Sequence, residues 1–468
     1  MKRTPEAVTE IIKTHLEANG HKIANDSENW CIKKSSLGGL GVFATKNIQP
    51  GDFIFKDYPV IIGPRSKINK DVCVVCFKDE PILCSRNCHL PVCSKECENS
   101  KIHLQECELI RKWSQKKCES GYNNLIKYIT PIRTLFLSEN EEKIVKSLQG
   151  HKGSQHGFEV DALSYKYGMV FSKEEEHFMK LACRVMDSNA FEVIIDDKDN
   201  QSGVRGLYPL SALSNHDCSP NTFYTFDKDH WMILRASKPI QTGEEICNTY
   251  VKRLWGTLNR KLMLEKSKHF SCTCKRCRDP TEFGSYVSAM RCSFCKVGFI
   301  LPINPLDINS SWICDVCASK TNCQKVGKIL SLLGNTLASF GNDDVEIMMR
   351  FLNGKLLDFV HVNHYIVLEL KCKVIFILGN RKNYELQNIS DSLLELKHQY
   401  CRDFLNLTEK LRLGYFTYRA QIISELVSTL KEESRRKNNT KTEEMDKEIN
   451  MLLNDLYLVS QNEFCSDK

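Results

Sequence analysis

The sequence predicts an α+β chain: short strands near the start, a cysteine-rich metal module and a helical C-terminal region. Three observations predict it. Short strand patterns flank glycine turns near residues 38–55. Cysteines gather in pairs two or three residues apart instead of spreading evenly. Val326, Ile329, Leu330, Leu333 and Leu337 recur at 3, 4 and 7, the stripe of an amphipathic helix.

Composition sets the limits. The 468 residues suffice for roughly three domains, and 42% hydrophobic residues can bury a sizeable core. Sixty-five Lys and Arg against 58 Asp and Glu leave +7, too small an excess for a nucleic-acid binder. Apolar runs are short, as in Val374 to Leu378, which argues against a membrane span. No apolar signal region follows Met1-Lys2-Arg3, so the expectation is a reducing compartment, cytoplasmic and/or nuclear. Twenty-three cysteines in such a compartment point to metal rather than to disulfides.

Taken along the chain, residues 1–29 form a polar N-terminal extension with a short helix from Ala7 to Ala18. Gly39, Gly41 and Ala44 superficially fit a dinucleotide fingerprint, but Pro50-Gly51 follows where a helix should open, so the segment reads as two strands around a glycine turn. Between Cys73 and Cys107 the pairs Cys73/Cys76, Cys84/Cys88, Cys93/Cys97 and His103/Cys107 supply eight ligands, enough for two closed tetrahedral zinc sites. Cys272, Cys274 and Cys277 supply three more thiolates. Cys292, Cys295, Cys314 and Cys317 fit a four-thiolate ribbon. Cys31, Cys118, Cys183, Cys218, Cys247, Cys323, Cys372, Cys401 and Cys465 are scattered, and buried thiols of this kind behave as small hydrophobes. Lys252 to Arg278 holds nine basic residues and one acid, Glu265; the preferred reading is bases offsetting thiolate charge and covering a solvated face. Met445, Ile449, Leu452, Leu453 and Leu456 repeat the helical stripe near the end, after a charged loop from Lys431 to Glu444.

The Cys73–Cys107 cluster resembles the MYND zinc finger over its whole length. The resemblance implies interleaved pairs: Cys73, Cys76, Cys93 and Cys97 on one zinc, Cys84, Cys88, His103 and Cys107 on the other. The three residues between Cys84 and Cys88 depart from the usual two, and His89 stands as a competitor for that position. Downstream come Asn215-His216-Asp217-Cys218-Ser219-Pro220-Asn221, Gly243-Glu244-Glu245-Ile246 with Tyr250, and Phe270-Ser271-Cys272-x-Cys274-x2-Cys277. In this order they resemble the SET-domain methyltransferases, and a finger inserted between the two halves resembles the SMYD (SET and MYND) family. The Cys292–Cys317 ribbon looks like the extra knuckle of arthropod-specific members.

That resemblance implies methyl transfer from S-adenosylmethionine to a protein lysine, with Tyr250 catalytic. It implies that Gly38, Gly39, Leu40, Asn189, Asn215, His216, Tyr250 and Phe270 line the cofactor, Phe270 stacking on adenine. It also implies that Cys218 completes the Cys272, Cys274, Cys277 site, giving about four zinc ions. The implied segments are a SET N-terminal part at 30–70, a finger at 71–107, a helical insert at 108–203, the SET core at 204–252 and a post-SET tail at 253–280. A ribbon-like segment at 281–320 and a repeat-like helical domain at 321–468 complete the chain. The expected partners are a protein substrate and proline-rich peptides on the finger, with no nucleic acid and no membrane, and the chain acting as a monomer. The rival reading is an adaptor or corepressor with a vestigial SET domain; the presence of Asn215, His216, Tyr250 and Phe270 argues against it. The finger is expected to be an insertion outside the pocket.

Overall fold

The computed structural model describes residues 4–21, 29–66, 68, 71–79, 81–114, 125–151, 157–194, 203–341, 345–436 and 443–460. Cys118 and Cys465 lie outside the described residues.

The chain opens with the helix Pro5–Ala18, started by Thr4, whose hydroxyl caps Ala7 N–H, and by a proline in the first turn. Its apolar face, Val8, Ile11, Ile12 and Leu16, buries against the β core. The antiparallel hairpin Trp30–Lys34 and Leu40–Ala44 follows, with Lys34 opposite Leu40. Gly38 and Gly39 make its turn at φ of 128° and 63°, backbone that side chains other than glycine resist.

Two three-stranded sheets form the rest of the core. In one, Met232–Ala236 lies between Phe53–Asp57 and Thr222–Phe226. In the other, Val204–Leu207 lies between Ile61–Pro64 and Phe191–Val193. Each sheet therefore pairs strands from before the finger with strands from after the insert. Phe55 faces Leu234 and Ile62 faces Gly206, so residues 65–190 are an excursion from a single β core.

That excursion is packed firmly onto the core. Val72, Val74, Leu90 and Val92 of the finger share one apolar cluster with Ile110, Ile129, Ile132, Val204, Tyr208 and Met232. Arg133 donates to Glu106 at 2.6 Å, both buried, and also to the carbonyls of Val74 (2.7 Å) and Ile62. One guanidinium thus ties finger, insert and core strand together.

The C-terminal region is helical, as the stripes predict: Cys323–Ser339, Val345–Asn353, Tyr365–Ile377, Asp391–Lys410, Thr417–Arg436 and Glu443–Ser460. The predicted Lys431–Glu444 loop is corrected at both ends, because helix continues to Arg436 and resumes at Glu443; residues 437–442 lie outside the description. Tyr365–Ile377 buries residues on all sides and accounts for the apolar run at Val374. No described helix is long and apolar enough to cross a membrane. The four-stranded sheet Met290–Arg291, Phe299–Pro302, Trp312–Cys314 and Lys320–Thr321 shares its core with these helices through Met290, Ile300 and Trp312. The helical domain is fastened to the β core by Tyr415 N–H to the Ser237 carbonyl (2.8 Å) and Ser219 Oγ to the Leu411 carbonyl (2.9 Å).

Candidate active site and metal centres

Three segments converge below the hairpin turn. The strand Leu40–Ala44 is flanked by residues 243–246, with Ile246 N–H donating to Val42 O and Ala44 N–H to Glu244 O. His216 forms a parallel bridge to Asn248, in which Asp217 N–H donates to Asn248 O and Asn248 N–H to Asn215 O, both at 2.9 Å. The two sequence motifs, 30 residues apart, therefore cross as one unit.

The side chains then lock that crossing. Asn215 Nδ2 donates to Leu40 O (3.1 Å) and to Glu245 Oε1 (2.7 Å), while Ser35 Oγ donates to Glu245 Oε2 (2.9 Å). A side chain at Gly41 would collide with that carboxylate, so glycine is required by close approach. Tyr250 N–H donates to His216 Nδ1 (3.0 Å), which places the ring proton on Nε2, aimed at Cys218 Sγ at 3.2 Å. Burial pushes His216 down to about 3, so the ring is neutral at physiological pH. Both ring nitrogens are thus engaged within the protein, and a cofactor contact from His216 falls to its main chain. Tyr250 Oη donates to the Ser214 carbonyl (2.8 Å), and burial raises the phenol well above its ordinary range. Tyr250 meets Phe270 edge-on at 6.4 Å, and His216 lies 5.3 Å from Tyr250 and 5.9 Å from Phe270.

Leu40, Asn215, His216, Tyr250 and Phe270 are therefore brought together, with Gly38 and Gly39 at the adjoining turn. Asn189 ends the helix Lys173–Asn189, and its amide nitrogen is spent on the carbonyls of Gln149 (2.6 Å) and Val185 (2.8 Å). Its neighbour Ser188 accepts from Lys268 (2.6 Å), which sets that helix end beside the segment carrying Phe270. Sequence reasoning gave no role to Ser35, Ser214, Glu245 or Lys268. Glu245 sat inside a quoted motif; Ser35 carried no signal at all.

The arrangement fits the implied cofactor. Phe270 keeps 36% of its surface exposed, an uncovered aromatic face suited to a flat base. Side chains added at Gly38 or Gly39 would meet nothing within 4 Å, so the turn borders open space. The Asn248 amide nitrogen and the Ser214 hydroxyl are buried without a protein partner.

Among the described residues, four groups of thiols gather: Cys73, Cys76, Cys93, Cys97; Cys84, Cys88, Cys107 with His103; Cys218, Cys272, Cys274, Cys277; and Cys292, Cys295, Cys314, Cys317. Within each, all donor atoms lie within 4.8 Å of one another. Separations such as Cys76–Cys93 at 3.4 Å, Cys218–Cys272 at 3.9 Å and Cys295–Cys314 at 3.8 Å suit thiolates sharing a tetrahedral ion. A Zn–S bond of about 2.3 Å implies sulfurs about 3.8 Å apart. Cys88, not His89, belongs to the second group. His103 Nδ1 sits 2.7 Å from the Glu98 carbonyl, which assigns it the proton and leaves Nε2 for the ion.

The basic stretch is corrected in one respect. Arg260, Lys261 and Arg276 are buried, so it is not simply a solvated face. Arg260 and Arg276 both grip Glu282, at 2.7 and 2.8 Å. Burial alone would raise the Glu282 carboxyl, but the two guanidinium groups outweigh it and hold it at about 2. Arg260 also reaches Cys277 Sγ (3.6 Å) and Arg276 the Cys218 carbonyl (3.2 Å), so the positive excess does lie against the thiolates.

A family model for the SET domain matches residues 39–251. The chain is 29% identical to the SET domain-containing protein SmydA-8, isoform A, of Drosophila melanogaster, over 90% of this chain and 92% of that protein. It is 27% identical to the N-lysine methyltransferase SMYD2-A of Danio rerio, over 51% of this chain and 58% of that one. It is 25% identical to the histone-lysine N-methyltransferase SMYD3 of Homo sapiens, over 51% and 59%. Both crossed motifs lie within the residues that the SET-domain model matches. With the finger set between the two halves of the β core, the chain is similar to the SMYD proteins along most of its length.

Proposed function

We propose that the protein transfers methyl groups from S-adenosylmethionine to lysine side chains of protein substrates. The observation that carries this reading is Tyr250, its ring against both His216 and Phe270 and its hydroxyl fixed on the Ser214 carbonyl. The cofactor would be held by the glycine turn at Gly38 and Gly39, by Leu40, by the Asn215–His216 segment and by Phe270, with Asn189 near its edge. When bound, it supplies an electrophilic methyl group.

The chain's own residues do the rest. Tyr250 stays a neutral phenol because burial raises its pKa, so it orients the acceptor amine and does not deprotonate it. A free lysine titrates near 10.4 and arrives charged. Aromatic, water-poor surroundings disfavour that charge and release the proton before transfer. The Cys218 site staples the tail carrying Phe270 onto the crossing carrying Tyr250, so zinc shapes the pocket without entering the reaction.

Calorimetry with S-adenosylmethionine on zinc-replete protein tests the reading, followed by transfer of labelled methyl to lysate proteins. No heat of binding from folded protein would sink it. The finger adds a second capacity: Ile82 and Leu83 are 68% and 61% exposed on one of its strands, a surface suited to proline-rich peptides. We assign the monomer as the working unit and the cytoplasm or nucleus as its place, where thiolate sites stay reduced. Transfer-dead protein that still captures such peptides would turn the reading to an adaptor.

A further inference from the structure

Lys268 is the last residue of the helix Thr257–Lys268 and is half-buried. Its amine lies 5.5 Å from the centroid of the Tyr250 ring and donates to the Ser188 carbonyl at 2.6 Å. Two residues later Phe270 meets the same tyrosine edge-on. A lysine amine therefore already sits at the ring whose proposed task is to orient a lysine amine.

We propose that Lys268 is an internal methyl acceptor, modified by its own chain. The inference rests on the methyltransferase reading above. Release from Ser188 frees the side chain to swing about its own torsions toward the Tyr250 hydroxyl. The neutral Nζ lone pair attacks the methyl carbon of S-adenosylmethionine. The N–C bond forms, the C–S bond breaks with its electron pair passing to sulfur, and S-adenosylhomocysteine leaves. The amine proton goes to solvent.

The surroundings favour the neutral amine. Burial lowers the Lys268 pKa to about 8, with Arg65 and Arg205 acting in the same direction and Asp187 opposing them. Arg205 is itself paired with Asp187, which blunts that opposition. Lys266, by contrast, is exposed on the last turn of the same helix.

A purely structural role, a latch between two helices, predicts something different. Lys268→Arg retains a cation and a donor for Ser188 but removes the acceptor amine. The test incubates zinc-replete protein with S-adenosylmethionine and maps methyl groups by peptide mass spectrometry. Expected are methylation at Lys268, a first-order rate unchanged by tenfold dilution, a rise in rate as pH passes 8, and loss of the signal in Lys268→Arg and Tyr250→Phe. A second readout needs no turnover: after reductive ¹³C-methylation, the Lys268 methyl resonance should shift when S-adenosylhomocysteine is added. An unmodified Lys268 in protein that binds the cofactor overturns the inference and leaves the enzyme reading standing. So does label confined to Lys266, a rate that climbs with protein concentration, retention in Tyr250→Phe, or a resonance that S-adenosylhomocysteine does not move. Failure to bind the cofactor at all sinks both.

Discussion

His216 stands between Tyr250 and Cys218: its Nδ1 accepts from the Tyr250 backbone at 3.0 Å while its Nε2 faces the Cys218 thiol at 3.2 Å. One imidazole therefore couples the position of Tyr250, the proposed catalytic tyrosine, to that of Cys218 in the third cysteine group. The pocket and the post-SET zinc site form one mechanical unit.

His216→Ala should damage both. It leaves the Tyr250 N–H without its partner and opens a cavity among buried rings, together costing about 2–4 kcal/mol. Thermal unfolding should show the loss, and calorimetry should show weaker cofactor binding. Unchanged affinity would mean that the ring does not position the pocket.

Tyr250→Phe should behave otherwise. The ring still packs, and only the bond to Ser214 is lost, worth about 1 kcal/mol. Cofactor affinity should hold while methyl transfer falls about 100-fold, the usual scale of a lost orienting group. Full turnover on an identified substrate would refute the mechanism even with the likeness to the SET domain intact.

Elemental analysis after exhaustive dialysis should find about four zinc ions, one for each Cys/His group. A count near two would remove the post-SET and ribbon sites. Cys218→Ser should lose one ion and weaken cofactor binding with it, because the same residue faces His216. Chelation should unfold the finger, where zinc binding energy is folding energy.

Removing the finger should be costly, contrary to what an insertion suggests. Arg133→Met strands Glu106 in a fully buried site, a change of about 3–5 kcal/mol. Exchanging both residues for apolar ones should recover part of that. A double-mutant cycle by denaturant unfolding measures the coupling; additive losses would show that the finger is fastened by its apolar contacts alone.

Asp57 predicts a pH dependence. It is buried, accepts from Ser211 N–H at 2.7 Å through Oδ2, and leaves Oδ1 without a partner. Burial outweighs the hydrogen bonds it accepts and raises its pKa to about 7. The unfolded carboxyl titrates near 3.9, so the folded state binds the proton more tightly. Its stabilisation is complete below about pH 4 and is lost as pH rises to about 7. Asp57→Asn should accordingly raise the melting temperature relative to the native chain at pH 8 and do little at pH 4. An equal effect at both pH values would show that Asp57 is ionised throughout.

Much of this was legible in the residues. Cys73/Cys76 and Cys292/Cys295 are chelating pairs because a single turn brings both thiols to one point, and that geometry is local. Leu330, Leu333 and Leu337 mark a helix face by period alone. Tyr250 and Phe270 could be singled out because their flanking motifs are short and specific. What the sequence could not supply is whatever depends on segments crossing. Ser35 meets Glu245 across 210 positions because a bridge to Phe43 brings Glu245 to the hairpin, and Arg133 reaches Val74 across 59 from the end of the helix Ile129–Arg133. The basic run 252–278 reads as surface by charge, yet Arg260 and Arg276 go inside because Glu282 and the thiolates compensate them there. Lys268 is one base among nine in the sequence, and only the fold lays its amine on the ring of Tyr250. Local spacing fixes which atoms can share an ion or a helix face. Burial and long-range pairing, set by tertiary packing, decide which side chains meet and what charge they carry when they do.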